Sequence, residues 1–184
     1  AGADVLVHGY RPGALDGLGY DPARLRTLSP HLIDVSLCAY GWTGPWAQRR
    51  GFDSLVQMSC GIAHEGMQRY ADDRPHPLPV QALDHATGYL MAAAALRALR
   101  IRNQTGQASS ARLSLARTAH LLMSAGARDP QGANIVETDT DLNEVHENTG
   151  WGPARRVAFP VHLDGRAPEW PHPAGPLRTH PAQW

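Results

Sequence analysis

Two short β-rich apolar runs with a proline-initiated helix between them constrain this chain more than any other feature. Ala3 to Tyr10 (ADVLVHGY) reads as a buried strand that delivers a turn at Arg11-Pro12-Gly13. Leu32 to Leu37 (LIDVSL) reads as a second strand, broken by Gly41, Gly44 and Pro45. Between them Asp21 is placed to cap a short helix with Pro22 at its first position, and Pro30 stops it. Strand, helix and strand within about 35 residues make a βαβ crossover, which needs a parallel sheet, so the predicted fold class is α/β. A parallel strand normally has neighbours on both sides, so a chain that opens on one is expected to begin inside a domain.

The later elements fit the same architecture. Phe52 to Ile62 is predicted as a helix with Leu55, Val56, Met58 and Ser59 on its inner side, and residues 64–79, polar with three prolines, as a surface loop. Asp84 then precedes an Ala- and Leu-rich run, His85 to Arg102, whose composition strongly favours helix, with Gly106 suited to a left-handed end. Ser110 to Leu115 alternates like a strand, and Arg117 to Ala127 returns to helical character. The expected organisation is an α/β domain over residues 1–128, a polar linker over 129–149, and an extended Pro- and Trp-rich tail over 150–184 holding one strand, Arg156 to Leu163.

Composition removes several functions. The 17 acidic and 17 basic residues balance, with no run of one sign, so the basic face of a nucleic-acid binder is missing. No apolar stretch approaches a membrane span, and the first residues do not resemble a signal peptide, so a cytoplasmic location without membrane contact is expected. All the basic residues are arginine, which rules out Schiff-base or P-loop lysine chemistry from this chain. Cys38 and Cys60 are too far apart for a zinc knuckle. None of the ten histidines forms an H-x-H or H-x-x-x-H pair, so no metal site is expected. Asp139, Asp141 and Asn143 imitate the start of a calcium loop, but Glu144 and Gly150 stand where Gly and Glu are required. Gly17 and Gly19 lack the third glycine of a dinucleotide fingerprint, and no G-x-S-x-G is present.

Asp84 remains. At the start of a helix, free backbone N–H groups and the helix dipole favour its ionised form. Such a carboxylate can attack an activated acyl carbon if the site is dry and the leaving group good. Asp is also among the commonest structural caps, and the local pattern admits both readings.

The order of motifs resembles the class III CoA-transferases, the CaiB/BaiF family. It runs from Ala3-Asp4-Val5-Leu6-Val7 and Arg11-Pro12-Gly13 through Leu18-Gly19-Tyr20, Ser29-Pro30-His31-Leu32-Ile33 and Gly41-Trp42-Thr43-Gly44-Pro45. It continues through Arg49 to Asp53, Pro79-Val80 with Asp84 and Gly88, Thr105-Gly106-Gln107, Gly152-Pro153 with Arg155-Arg156-Val157, and Leu163-Asp164-Gly165. The resemblance implies part of a doubly wound, Rossmann-like large domain and an intertwined homodimer. It puts Asp84 on the family's catalytic aspartate, which attacks an acyl-CoA thioester and ends as an aspartyl-CoA thioester that an acceptor carboxylate discharges. Coenzyme A, carried in as acyl-CoA, and a small carboxylic acid are the implied substrates. Tyr10 and Arg11, and Arg49, Arg50, Gly51 and Phe52, match positions that contact CoA, where an aromatic ring can cover adenine and Arg can pair with phosphate.

The family's α-methylacyl-CoA racemases carry a proton-transferring histidine where this chain has Phe52, in Gly51-Phe52-Asp53. Phe cannot move a proton, so a transferase is expected ahead of a racemase. Family members also have a nucleotide-binding segment before the first strand and a second, smaller domain, for which residues 129–149 are too short. The sequence is therefore expected to be part of an enzyme. The alternative is a catalytically silent subunit that binds CoA or assembles with a partner chain supplying the missing parts.

Overall fold

Strand β2 (Ile33–Cys38) is the centre of a three-stranded parallel sheet in a computed structural model that describes residues 2–126 and 136–181. The chain forms two units, residues 1–128 and 129–184. In the first, β1 (Val5–His8) pairs with β2 from Val5↔Ile33 to His8↔Ser36, and β3 (Ser110–Ser114) pairs with its other edge from Asp34↔Ser110 to Cys38↔Ser114. The fold is α/β, as the βαβ pattern predicts. Its crossover helix α1 (Pro22–Leu28) starts as the sequence requires: the Asp21 carboxylate accepts the Arg24 N–H at 2.9 Å and Pro22 opens the first turn.

The Ala-rich segment forms α4, Ala82–Thr105, ending at Gly106 with φ 72°. Its small side chains let it lie close to the sheet, where Met91 and Ala98 pack with the fully buried Ile33 and Val35. Its direction is fixed at the far end. Arg102 donates to the His31 carbonyl at 2.9 Å and pairs with the Asp4 carboxylate at 2.8 Å, and both residues lie just ahead of strands β2 and β1. The C-terminus of α4 therefore lies at the amino edge of the sheet, and its N-terminus points to the carboxyl edge. A helix of 24 residues spans about 36 Å against about 20 Å for the six residues of β2, so the first turns of α4 extend past that edge. There Leu83 joins a second core with Ala39, Val56, Ile62, Leu115 and Ala119.

Several elements differ from the sequence expectation. The helix expected over 52–62 is α2 (Asp53–Ser59), and a separate helix α3 (Ile62–Tyr70) occupies part of the expected loop. Gly61, at φ 94°, turns the chain between them. The inner face of α2 is Asp53, Val56 and Gln57, while Leu55 and Met58 face outward. Helix α5 (Leu115–Ser124) starts earlier than expected because Ser114 caps it, accepting the Arg117 N–H. Ala127, the expected end of that helix, Arg128, and residues 129–135 of the expected linker lie outside the described residues.

The second unit carries a hairpin rather than a linker and a lone strand. Strand β4 (Leu142–Thr149) pairs antiparallel with β5 (Gly152–Val157). Its residues are mostly polar and show no apolar alternation. Contacts of arginine hold it instead: Arg156 grips Glu147 through two 2.6 Å bonds, and Arg155 pairs with Asp139. The calcium-like acidic stretch is taken up by a capping turn, Asp139–Asp141 with Thr138, and by this pairing. Among the described residues no helix is long and apolar enough to cross a membrane, and no three His, Cys, Asp or Glu side chains could hold a metal ion together.

Candidate active site

Asp84 sits in the first turn of α4, at its third helical position, not at the cap position expected from sequence. The cap residue is Gln81, whose side chain makes no capping bond. The Asp84 N–H, one of the four that a helix start leaves without a partner, donates instead to Oδ2 of Asp53 at 2.9 Å. Helix α4 thus takes its cap from another helix. Asp84 itself remains exposed at the carboxyl edge of the sheet, the side where open α/β sheets bind ligands.

Asp53 is 1% exposed and is bonded on both oxygens. Its Oδ1 accepts from Nε2 of Gln57, also 1% exposed. Gln57 in turn accepts the Leu78 N–H on Oε1 at 2.8 Å and donates to the Val80 carbonyl at 3.2 Å. Two side chains one turn apart on α2 therefore hold the segment that leads into α4 and its first turn. Partial removal from water pushes the Asp84 carboxyl above the ordinary aspartate range, the Asp53 carboxylate raises it further, and His85 offsets part of this.

The segment expected to contact CoA arrives beside this pair. Phe52 precedes α2 at its cap position and is 75% exposed, and its phenyl ring carries no group that can move a proton. Gly51 fits under Tyr40: a Cβ there would lie 2.7 Å from the Ala39 Cβ and 2.8 Å from the Tyr40 ring. Arg49 stacks over Trp46 at 4.3 Å, and Arg50 is exposed. Asp53 joins Phe52 to Asp84, so these residues and the aspartate share one corner.

Tyr10 and Arg11 follow β1 at the same edge of the sheet. Tyr10 is exposed and its ring stacks on His8 at 5.9 Å. Arg11 lines a cleft of about 230 Å³ with His8, Asp34, Ser36, Trp42 and Arg112, and that cleft does not include Asp84. Trp42 and Arg112, the guanidinium 5.0 Å from the indole, also line a larger cavity of about 570 Å³ with Leu90 and Thr118. Sequence reasoning missed Asp53, Gln57 and Arg112 as site residues. For the first two a signal existed: polar residues four apart on the inner side of a helix otherwise facing a core break the expected pattern.

Comparison with known proteins agrees with this architecture. Residues 1–174 match the profile of CoA-transferase family III, and the chain belongs to that family. It is 39% identical over 106 residues to a protein of Mycobacterium tuberculosis named a probable fatty acyl-CoA transferase, covering 58% of this chain and 26% of that one. It is 37% identical over 110 residues to the beta subunit of succinyl-CoA:L-malate CoA-transferase of Chloroflexus aurantiacus, again 58% of this chain and 26% of the relative. The crystal structure of the mycobacterial protein superposes with a TM-score of 0.57 at 32% identity, covering 70% of this chain and 38% of the other. The chain thus spans about a quarter of the length of these curated relatives.

Proposed function

We propose that this chain carries the nucleophile and part of the CoA-binding surface of a CoA-transferase that moves CoA from an acyl-CoA to a small carboxylic acid. The observation that carries the reading is Asp84, exposed on the first turn of a long helix at the carboxyl edge of the sheet in a member of this family. One Asp84 oxygen attacks the thioester carbon, the C–S bond breaks, and CoA thiolate leaves from a mixed anhydride. The thiolate then attacks the Asp84 carbonyl and the donor leaves as its carboxylate. The resulting aspartyl-CoA thioester is opened by the acceptor carboxylate through the same two exchanges in reverse. Each step trades one activated acyl carbon for another, so no outside energy source or redox partner is needed. The name of the Chloroflexus relative pairs succinyl-CoA with L-malate, which supports a carboxylic acid as acceptor here.

Tyr10, Arg11, Arg49, Arg50, Gly51 and Phe52 form the CoA side of this reading, with Arg11 and the exposed arginines available to phosphate and Tyr10 or Phe52 to adenine. Incubation with succinyl-CoA and intact-mass analysis is expected to find CoA bound through Asp84, with none on the Asp84→Asn variant. Turnover that survives Asp84→Asn would overturn the mechanism.

A second reading, a chain completed by further polypeptide from its own copy or a partner, is favoured by the apolar side chains left outside on α2, α4 and α5, among them Leu55, Met58, Leu96 and Leu121.

A further inference from the structure

We propose that Asp53 and Gln57 are a positioning pair for Asp84: Asp53 caps the helix that carries it, and Gln57 fixes both Asp53 and the approach segment 78–80. This rests on the reading of Asp84 as nucleophile and adds to it the residues that aim the nucleophile and tune its charge.

Burying a carboxylate is unfavourable unless its lone pairs are met, and among the described residues no ion pair to Asp53 is formed. Its partners are the Gln57 amide and the Asp84 N–H, so its burial is compensated only if α4 begins where it does. Gln57 makes the arrangement specific. With its Nε2 toward Asp53 and Val80, its Oε1 faces the Leu78 N–H, and rotating the amide would oppose two donors there and two acceptors at Val80. The amide orientation is thereby locked, the Asp53 rotamer with it, and the first turn of α4 is held in one register.

The pair also bears on reactivity. The charged groups acting on the Asp84 carboxyl are Asp53 from α2 and His85 on its own helix, and the first opposes the ionised form while the second favours it. A more basic carboxylate is the better nucleophile once ionised. A purely structural cap would hold the backbone without needing a charge.

The deciding experiment is a carbon-13 NMR titration of the Asp84 carboxyl in the full 184-residue chain, with amide hydrogen exchange read at Asp84. Wild type and Asp53→Asn are compared. The asparagine keeps an oxygen of similar shape for the Gln57 amide but loses the charge and opposes its own NH2 to the Asp84 N–H. The Asp84 midpoint is expected above the ordinary aspartate value in wild type and lower in Asp53→Asn, with exchange at the Asp84 N–H faster by roughly tenfold, the loss of one such bond. An unchanged midpoint or unchanged exchange in Asp53→Asn would overturn the proposal. If that variant does not fold, Gln57→Glu decides: it keeps the acceptor for Leu78 and places a second carboxylate against Asp53, so the Asp84 midpoint must move, and a fixed midpoint overturns the pair. Neither readout requires turnover. Failure of the CoA adduct would remove the nucleophile reading while leaving this measurement to stand or fall by itself.

Discussion

At the residue scale, two glycines near Asp84 behave in opposite ways, and the difference is steric. Gly51 is closed in, since any Cβ there meets Ala39 and Tyr40 at distances real structures do not tolerate. Gly88, four residues after Asp84 and therefore on the same face of α4, has nothing within 4 Å of the position a Cβ would take. Gly51→Ala is expected to destabilise the fold by about 1–3 kcal/mol through overpacking. Gly88→Ala should stabilise it by roughly 0.5–1 kcal/mol, because glycine inside a helix costs backbone entropy. Urea denaturation of the two variants against wild type checks both signs. Equal effects would mean that the packing around the 49–52 segment is not as tight as the distances indicate.

At the element scale, what could be read from sequence followed apolar patterning and proline or glycine punctuation. Strands β1 and β2, helix α1 with its Asp21 and Pro22 start, the long α4 and its Gly106 end are all carried by such local signals. The losses occur where polar groups do the organising. On α2 the inner face is Asp53, Val56 and Gln57, so reading its exposed Leu55 and Met58 as core rotated the helix and hid the pair that holds Asp84. Asp84 was legible as a helix-start aspartate, but its true position, third in the helix, depends on a cap donated 31 residues away in sequence.

Hairpin β4–β5 was hidden for the same reason, since an ion pair rather than apolar alternation joins its strands. Its pH response follows. The Arg156 hydrogen bonds hold the Glu147 carboxyl below the ordinary glutamate range. The stabilisation this gives is complete above the value Glu147 would have in the unfolded chain, and it disappears as pH falls through the lower, folded value. Amide exchange across residues 142–157 is therefore expected to stay protected at neutral pH and to be lost on acidification, with Glu147→Gln already exchanging fast at pH 7. Protection in Glu147→Gln equal to wild type would show that the pair does not hold the hairpin.

At the scale of the whole chain, the distribution of buried side chains argues for association. Every buried apolar residue among those described lies between Leu32 and Ala119, in the first unit, and the second unit contributes none. Within the first unit the three-stranded parallel sheet is incompletely covered, for Val7 on its outer strand is 58% exposed, whereas parallel sheets ordinarily have helices on both faces. The outward residues of α2, α4 and α5 include Leu55, Met58, Leu96, Leu121 and Leu122, with Phe52 just ahead of α2, more apolar surface on neighbouring elements than an isolated soluble domain usually leaves open. Burying a large apolar side chain gains about 1.5–3 kcal/mol, so covering even a few of these would offset the loss of translational freedom on pairing. Light scattering on the 184-residue chain is accordingly expected to show mass above that of a monomer, rising with concentration, and a fluorescent probe of exposed apolar surface should bind the dilute chain more than the concentrated one. Changing Leu55 and Met58 together to Gln, on the exposed side of α2, should shift the chain toward monomer without unfolding it, since neither side chain belongs to the core. A chain that stays monomeric at every concentration, binds little of the probe and still forms the Asp84 adduct would show that these faces need no partner and that the catalytic corner works uncovered.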